Sequence, residues 1–425
     1  MIEKITELSN SAQGFFIKAD RFKTTNISYN FYLPINPERI ADFALLPFVI
    51  TSCGKEYPDF SKLNFKLSKL YSAELSASAE KVGDYQLLKM GISVINDKYA
   101  LDSESPILKA TALLNSLVFE PLAENGAFFK TDVEREKRKA IEHILGDMSD
   151  KRLYAKRRLI EEMYKDDVFG TQKCGSKSQV EAITGESLYS AWQDMLKSAF
   201  LRVNVIADVL PQGIFDDVKD RLSAIDRSGA LNAFHSRLTK PIYAARHIEE
   251  KLDVAQGKLV MGFTADTVTD DYKSAPFTVM CDILGGGPYS RLFSNVREKL
   301  SLCYYCSSSL DKRKGLLTVD SGVEADNAKR AEIEILRQLE VIKNGNFTDF
   351  EFEASKKSII NSLRTYGDHQ GAIDNWYAMR IADNNPISPD EFAGIIGTVD
   401  KQSVISAAKT VKLHTVYSLM PKGDK

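Results

Sequence analysis

Histidine is scarce in this sequence, since its 425 residues contain five histidines and none precedes His143. Histidine is the commonest metal ligand and a frequent general base, so the first 142 residues offer no imidazole for either role. The segment His247-Ile-Glu-Glu250 has no second histidine beside it and makes a poor zinc site. The sequence therefore predicts no metal and no other cofactor.

Cysteine is also rare, with five residues at positions 53, 174, 281, 303 and 306. This number is too small for a disulfide framework in a chain of this length. Cys303-Tyr-Tyr-Cys306 has the C-x-x-C spacing of redox and metal sites, but it lies in a strand-like run, where residues i and i+3 point to opposite faces. The pattern therefore favours ordinary buried or half-buried thiols.

Strong charge and long apolar runs are both absent. The net charge of −2 gives no field that would recruit nucleic acid or an anionic membrane. The longest apolar run, residues 43–50, is too short to span a bilayer, and the N-terminal segment MIEKITELSNSAQ lacks the apolar core of a signal peptide. We therefore expect a cytoplasmic protein with no membrane span and no nucleic-acid partner.

The order of predicted elements occurs twice. The first half runs through a strand, a helix, Gly54, a second helix and a β-hairpin, at residues 27–33, 38–52, 60–71 and 74–94. The second half repeats this order around glycines 285–287, at residues 258–263, 272–284, 290–300 and 302–323. A repeat of about 200 residues is too long for a solenoid.

The duplication predicts an α+β fold of two similar α/β sandwich domains, each an antiparallel-rich sheet covered by helices. The predicted boundaries are 1–227 for the first domain, 228–244 for a linker with Gly, Ser and Pro, and 245–425 for the second domain. Charged amphipathic helices continue both halves, over residues 110–119, 132–163, 326–344 and 349–380. Their charge pattern is typical of solvated helix faces.

A family resemblance follows from this order and from the segment LGGGPYSRLFSNVREKLSLCYYCSSS, residues 284–309. Together they resemble the pitrilysin or insulinase-type metallopeptidases, the inverzincins. The resemblance covers residues 14–417. It implies two similar domains that face each other across a chamber, in which a zinc ion cuts peptides.

The zinc motif of that family has no counterpart here. The motif His-x-x-Glu-His places two ligands on one helix face and a general base between them. Alignment through Gly54 puts its three positions near Leu45, Phe48 and Val49, none of which can bind zinc. A later helix carries Glu136 and then His143, where the family has a paired Glu. The resemblance thus implies a member with a degenerate zinc site that is inactive alone.

Arg297 and Tyr304 match a second feature of the family. The resemblance implies that this pair, seven residues apart, holds the scissile peptide and stabilises charge on its carbonyl oxygen, which suits a permanent cation and a hydroxyl donor. An Arg paired with a carboxylate and a Tyr within a sheet would have the same spacing. Both interpretations stay open at this point. Glycines 285–287 lack the spacing of nucleotide-binding loops.

The resemblance implies two functional hypotheses, and a third is independent of it. In the first, the protein is the substrate-binding partner of a zinc-bearing paralogue in a heterodimer that processes peptides, although a homodimer is also compatible with the sequence. In the second, it is a structural, assembly or peptide-binding protein with no role in proteolysis, as in core subunits of a respiratory complex that resemble this family. In the third, it is a hydrolase with an unrelated site, but the chain lacks a G-x-S-x-G elbow.

Overall fold

The computed structural model describes residues 2–101, 104–229, 238–267, 270–381 and 386–422. The chain divides into two compact units. Unit 1 comprises Met1–Ile144, Thr171–His235 and His369–Ile381, and unit 2 comprises Leu145–Gly170, Ser236–Asp368 and Ala382–Lys425. The predicted linker 228–244 lies partly outside the described residues.

Unit 1 contains a six-stranded sheet and a short two-stranded ribbon. Its strands are β1 (Ile2–Ser9), β2 (Ala12–Lys18), β3 (Thr24–Pro34), β4 (Glu74–Val82), β5 (Tyr85–Ile95), β6 (Ala123–Glu124), β7 (Ala127–Phe128) and β8 (Phe200–Ala207). The strand order is β1-β2-β8-β3-β5-β4, and β6 pairs with β7. Only β2 and β8 run parallel to each other; the other neighbours are antiparallel.

Unit 2 contains a five-stranded sheet. Its strands are β9 (Arg246–Leu252), β10 (Gly257–Thr264), β11 (Cys303–Asp311), β12 (Leu316–Val323) and β13 (Lys412–Pro421). The strand order is β11-β12-β10-β13-β9, with β9 and β13 parallel and the other neighbours antiparallel.

The two sheets repeat one topology. The strands β2, β3, β4, β5 and β8 of unit 1 correspond in chain order, sheet order and direction to β9, β10, β11, β12 and β13 of unit 2. Unit 1 adds β1 at its edge. This repetition confirms the predicted α+β fold with an internal duplication.

Helices lie at all the predicted positions, with ends close to the predicted limits, and the described residues contain five further α-helices that were not predicted. In unit 1 they are α1 (Ile40–Ile50), α2 (Phe60–Lys69), α3 (Pro106–Phe119), most of α4 (Lys130–Ser149), α6 (Lys177–Ala182), α7 (Gly185–Ser198), α8 (Asp216–Ser223) and α12 (Gln370–Ala378). In unit 2 they are α5 (Lys151–Met163), α9 (Asp271–Gly285), a π-helix (Leu292–Lys299), α10 (Ala328–Lys343), α11 (Asp349–Thr365), α13 (Pro389–Thr398) and α14 (Lys401–Thr410). None of the helices in the described part of the chain is both long enough and apolar enough to cross a membrane.

Side-chain caps explain several of these limits. The predicted helix 132–163 is two helices, because Asp150 accepts hydrogen bonds from the backbone of Arg152 and Leu153 and starts α5 as a new helix. The predicted helix 349–380 is also divided, into α11 and α12. Thr348 begins α11 with a capping box, in which Glu351 reaches back to the Thr348 backbone.

Helix α12 belongs to unit 1 although it comes late in the chain. It packs Ile373 and Tyr377 against Phe15 and Ile17 of β2 and Ile206 of β8. The opposite face of the same sheet is covered by α1 and α3 in the main core of unit 1. The unit 1 sheet is therefore buried on both faces, and residues 369–381 supply one of the covers.

Helix α5 makes the reciprocal exchange. It packs Ala155 and Leu159 against Val260 of β10 and against Tyr417 and Leu419 of β13, all within unit 2. The compact units therefore exchange two segments relative to the predicted domains 1–227 and 245–425. The predicted boundaries assume that each domain is one continuous stretch of chain. The amphipathic pattern of a helix does not indicate which sheet the helix covers, so the exchange could not be predicted from it.

A buried carboxylate fixes α12 to the unit 1 sheet. Asp374 accepts hydrogen bonds on Oδ1 from Ser28 Oγ at 2.6 Å and from Asn204 Nδ2 at 2.7 Å. Its Oδ2 lies 2.5 Å from Lys89 Nζ. These partners come from three neighbouring strands, so one side chain on α12 joins β3, β5 and β8. A buried charge is tolerated in a fold when it is paired and hydrogen-bonded in this way.

We predict that Asp374→Asn lowers the free energy of unfolding by about 3 kcal/mol, because it leaves the largely buried Lys89 ammonium without its counter-charge. Urea denaturation followed by circular dichroism measures this loss. Glu3→Gln is the matched control, since Glu3 and Lys18 form an ion pair of which both members are about half exposed, and its loss should cost less than about 1 kcal/mol. Equal effects of the two substitutions would contradict the prediction.

Candidate functional site

Arg297 lies near the end of an unusual helix in unit 2. The backbone from Leu292 to Lys299 is π-helical, a conformation that is rare and is found frequently at functional sites. The amide of Leu300 donates to the carbonyl of Asn295, and Ser301 then adopts a positive φ of 50°. This left-handed residue ends the helix and directs the chain into β11.

Gly285 allows the preceding helix to approach the sheet closely. A Cβ atom at Gly285 would lie 2.6 Å from the Ser308 backbone nitrogen of β11. Ser308 Oγ also donates to the Cys281 carbonyl of α9 at 2.6 Å. Gly285, the first residue of the glycine run 285–287, thus allows α9 to pack closely against β11.

Tyr304 is exposed because β11 contains a bulge. Cys303 pairs with Val323 of β12, whereas Tyr305 pairs with the next residue, Gly322, so Tyr304 has no partner in the register. An extra residue of this kind re-aims side chains and is common beside active sites. Tyr304 is 57% exposed.

Arg297 and Tyr304 line the same open pocket, which we call the Arg–Tyr pocket. Its volume is about 410 Å³, and its lining also includes Glu298, Cys303, Glu324 and Asn327. The structure thus brings the predicted pair together at one surface of unit 2. The pocket is polar and contains one Arg and two carboxylates.

Surface carboxylates engage both members of the pair. Tyr304 Oη donates to Glu324 Oε1 at 2.8 Å, which raises the pKa of Tyr304 and keeps its hydroxyl a donor at neutral pH. Arg297 Nε lies 3.5 Å from Glu298 Oε1, and its guanidinium carbon lies 4.6 Å from the centre of the Phe293 ring. The Arg297 side chain is 41% exposed, so its remaining donors are open to a ligand.

A second cavity lies in unit 1 beside α1, and we call it the α1 cavity. Its volume is about 420 Å³, and α1 lines it with Ala41, Ala44, Leu45 and Phe48. These positions have the i, i+3, i+4, i+7 spacing of one helix face. Val49 is 1% exposed and is not part of this lining. Of the positions predicted from the alignment, Leu45 and Phe48 face the cavity and Val49 does not.

Helix α4 lines the same cavity with Glu136, Lys139, Ala140 and His143, and β4 contributes Ser78, Ala79 and Glu80. The two later positions of the predicted degenerate site are therefore close to α1. Two cationic side chains pair with the Glu136 carboxylate. Its Oε1 accepts hydrogen bonds from Arg135 Nε and Lys139 Nζ, both at 2.9 Å.

The residues present do not fit a zinc ion. The α1 face supplies only carbon side chains, and two cations surround the buried Glu136 carboxylate. Glu80, His143 and Cys174 also line the cavity. Cys53 follows α1, but burial raises the pKa of its thiol to about 11, so it is not a thiolate at neutral pH. In the described residues, no three His, Cys, Asp or Glu side chains are grouped to hold a metal ion.

The structure corrects the prediction for Cys303 and Cys306. Their expected placement on opposite faces of a strand is wrong, because the bulge adds a residue between them. Cys303 pairs with Val323 and Cys306 with Ser321, and these partners lie two residues apart on β12, so both thiols share one face. The alternation of polar and apolar residues in the sequence carries no signal for such a bulge.

Comparisons with known proteins agree with this geometry. Residues 182–359 match the family model described as peptidase M16 inactive domain. The chain is 30% identical over 423 residues to a Bacillus subtilis protein named probable inactive metalloprotease YmfF, with 98% of each chain covered.

Solved structures share the fold. A conserved protein from Enterococcus faecalis has a TM-score of 0.91 at 24% identity, with 99% of both chains covered. A peptidase M16 inactive domain from Pseudomonas fluorescens has a TM-score of 0.78 at 16% identity, also over 99% of both chains. The match to the Bacillus subtilis protein over nearly the full length, with cations and carbon side chains at the zinc position, identifies this chain as a member of the M16 peptidase family and an inactive homologue of its metallopeptidases.

Proposed function

We propose that this protein is the substrate-binding partner subunit of a zinc-bearing paralogue, with which it forms a cytoplasmic heterodimer that processes peptides or proteins. The observation that carries this proposal is the Arg–Tyr pocket, where Arg297 and Tyr304 line one open surface. Both side chains are substantially exposed although the zinc position of the same chain has lost its ligands.

The chemistry of the pair suits a peptide carbonyl. Arg297 supplies a permanent cation with several N–H donors, and Tyr304 supplies a hydroxyl that stays protonated. Donors aimed at a carbonyl oxygen stabilise the charge that develops on it during hydrolysis. The partner's zinc would supply the attacking water. Glu298 and Glu324 engage the pair at the exposed surface, where a peptide can displace them at small cost.

We predict that restoring histidines on α1 restores metal binding only in the correct register. Ala44→His with Phe48→His places two imidazoles on the cavity face at i and i+4, near His143. Leu45→His with Val49→His buries one imidazole away from the cavity. Atomic absorption after dialysis should find about one zinc per chain for the first double variant and substoichiometric zinc for the second and for the unmodified protein. Equal zinc in both variants would contradict the register.

We predict that Arg297→Ala and Tyr304→Phe impair peptide cleavage by the purified complex with a His-x-x-Glu-His relative. Loss of one donor to a developing oxyanion lowers kcat by about 100-fold. Steady-state kinetics on a fluorogenic peptide measure this effect, and size-exclusion chromatography checks that the heterodimer still forms. The protein alone should give no cleavage that a chelator abolishes.

Matched controls for this experiment are Arg337→Ala and Tyr272→Phe. Arg337 is an exposed arginine of α10 paired with Glu334, and Tyr272 is 71% exposed on α9. Both controls should leave kcat within about twofold of the unmodified complex, as expected for surface positions away from the pocket. Full activity of the Arg297→Ala complex, or chelator-sensitive cleavage by the protein alone with stoichiometric zinc, would refute the proposal.

A peptide-binding role without proteolysis is the second candidate, and the α1 cavity favours it. The cavity has an apolar floor of Ala41, Ala44 and Leu45 and lies beside β4, which is at the edge of the described sheet. An edge strand can pair with an extended peptide, whose side chains then enter adjacent pockets.

The two candidate functions predict different effects of substitutions in the α1 cavity and in the Arg–Tyr pocket. Ala44→Trp fills the α1 cavity, so under the second candidate it should weaken binding of an apolar peptide by about tenfold or more, while Arg297→Ala leaves binding unchanged. Fluorescence anisotropy with a labelled peptide measures both affinities, and circular dichroism checks that Ala44→Trp folds. Loss of cleavage with Arg297→Ala in a heterodimer would decide for the first candidate.

A further inference from the structure

Helix α2 of unit 1 presents phenylalanine side chains to solvent. Its buried residues are Leu63 and Leu67, which belong to the main core of unit 1. With about 3.6 residues per turn, Phe65 points away from the midpoint of these two leucines. Phe65 is 62% exposed, and Phe60 in the first turn is 67% exposed. The apolar face of α2 is thus used within the fold, and the two phenylalanine rings are not part of it.

A further apolar side chain lies beyond the end of α2. The Leu101 amide donates to Tyr71 Oη at 2.9 Å, which places Leu101 near the residues that follow the helix. Leu101 is 92% exposed. Single exposed apolar residues are common on soluble proteins, whereas several in one region mark an interaction surface. Phe60, Phe65 and Leu101 therefore mark the region of α2 as such a surface.

Lysines are the charged residues of α2. Lys62, Lys66 and Lys69 belong to the helix, and none of its ten residues is acidic. Lys62 and Lys69 lie beside Phe65 at the i−3 and i+4 positions, and Lys69 Nζ lies 4.4 Å from the centre of the Phe65 ring. Lys66 Nζ lies 5.9 Å from the centre of the Tyr57 ring. The exposed rings of this region are therefore accompanied by cations.

Acidic side chains lie before and after the helix rather than on it. Asp59 is the N-cap, since its Oδ1 accepts from the Lys62 amide at 2.8 Å, and its Oδ2 lies 3.6 Å from Lys62 Nζ. Glu56 precedes this cap, and Glu74 begins β4. The solvent side of α2 is therefore locally positive. The net charge of −2 describes the whole chain and does not show this local excess of lysine.

We propose that this region binds the anionic surface of a lipid membrane through Phe60, Lys62, Phe65, Lys66, Lys69 and Leu101, which we call the α2 surface. The apolar side chains enter the boundary between headgroups and acyl chains, and the lysines bind lipid phosphates. The contact is peripheral and involves unit 1 alone. It does not depend on the Arg–Tyr pocket or on a zinc-bearing partner.

The shape of the α2 surface favours lipid over an acidic protein. Phe65 stands on the outermost side of a helix, so a folded partner would need a pocket that fits it. Lipid headgroups rearrange around a protruding side chain and need no such pocket. Lysine stems can lie along the apolar boundary while their ammonium groups stay at the phosphates, which matches the position of Lys69 over the Phe65 ring.

Co-sedimentation of the purified full chain with lipid vesicles tests this proposal. The protein should sediment with vesicles of equal parts phosphatidylglycerol and phosphatidylcholine and stay in solution with phosphatidylcholine alone. Added salt should release it, because screening weakens the attraction of exposed charges. Lys62→Gln with Lys69→Gln should lower the partition coefficient about tenfold or more. Phe65→Ser should lower it about tenfold, because one buried ring is lost.

Matched controls change the same residue types outside the α2 surface. Lys18→Gln with Lys251→Gln removes two charges from lysines of β2 and β9 that are more than half exposed. Phe350→Ser removes a ring that is 71% exposed on α11 between Asp349 and Glu351. Both controls should leave the partition coefficient within about twofold of the unmodified protein. Circular dichroism checks that every variant is folded.

Phe65→Trp separates insertion into the lipid from attraction by charge alone. Its fluorescence should shift to shorter wavelength when phosphatidylglycerol vesicles are added, whereas Phe350→Trp should show no shift beyond that of the unmodified protein. No sedimentation, sedimentation that the lysine substitutions leave unchanged, or binding without the shift would overturn the proposal. Binding to polyglutamate but not to the vesicles would also overturn it and would assign the α2 surface to an acidic protein.

Discussion

The central strands of both sheets are buried on both faces, and this constraint determines how the chain is arranged. Every residue of β8 and of β12 is buried, as expected of strands that are covered on both sides. Each half of the chain covers one face of its own sheet, and a helix from the other half covers the second face. Asp374 gives this exchange its specificity in unit 1, because its hydrogen bonds and ion pair fix α12 to three strands at once.

The same constraint explains why α1 keeps its packing against the sheet although it has no zinc ligands. Helix α1 is held to the sheet by its buried side, which includes Leu46, Val49 and Ile50. The side that faces the α1 cavity also belongs to the core, because Ala41, Ala44 and Leu45 are each less than 5% exposed and only Phe48 is exposed, at 39%. Arg135 and Lys139 then neutralise the acidic group that remains on α4. The cavity is thus preserved as a shape, but the side chains of the described residues that line it are not grouped to hold a metal ion.

Sequence patterns predicted the elements of this fold better than their assignment to units. The hairpin predicted over residues 74–94 is formed by β4 and β5, with Gly83 and Asp84 between them, because a hairpin is a local structure with a local signal. The exchange of α5 and α12 depends on which sheet each apolar face meets, and no local pattern encodes that. On α1, alignment through Gly54 assigned a zinc-ligand position to Val49, which is buried away from the cavity. The i, i+4 pair that faces the cavity is Ala44 and Phe48. The absence of histidine before His143 made the loss of the zinc motif predictable in either register.

The bulge at Tyr304 links the two chemical features of unit 2. One extra residue exposes the Tyr304 hydroxyl at the Arg–Tyr pocket and also turns Cys306 to the face of Cys303. Arg297 is a donor open to the pocket, and together with a larger effect of the Cys306 thiol it lowers the pKa of Cys303 against the opposing effect of burial. Deleting one residue from the bulge would restore a regular strand and remove both arrangements together. The exposure of Tyr304 and the shared face of Cys303 and Cys306 therefore depend on one backbone irregularity.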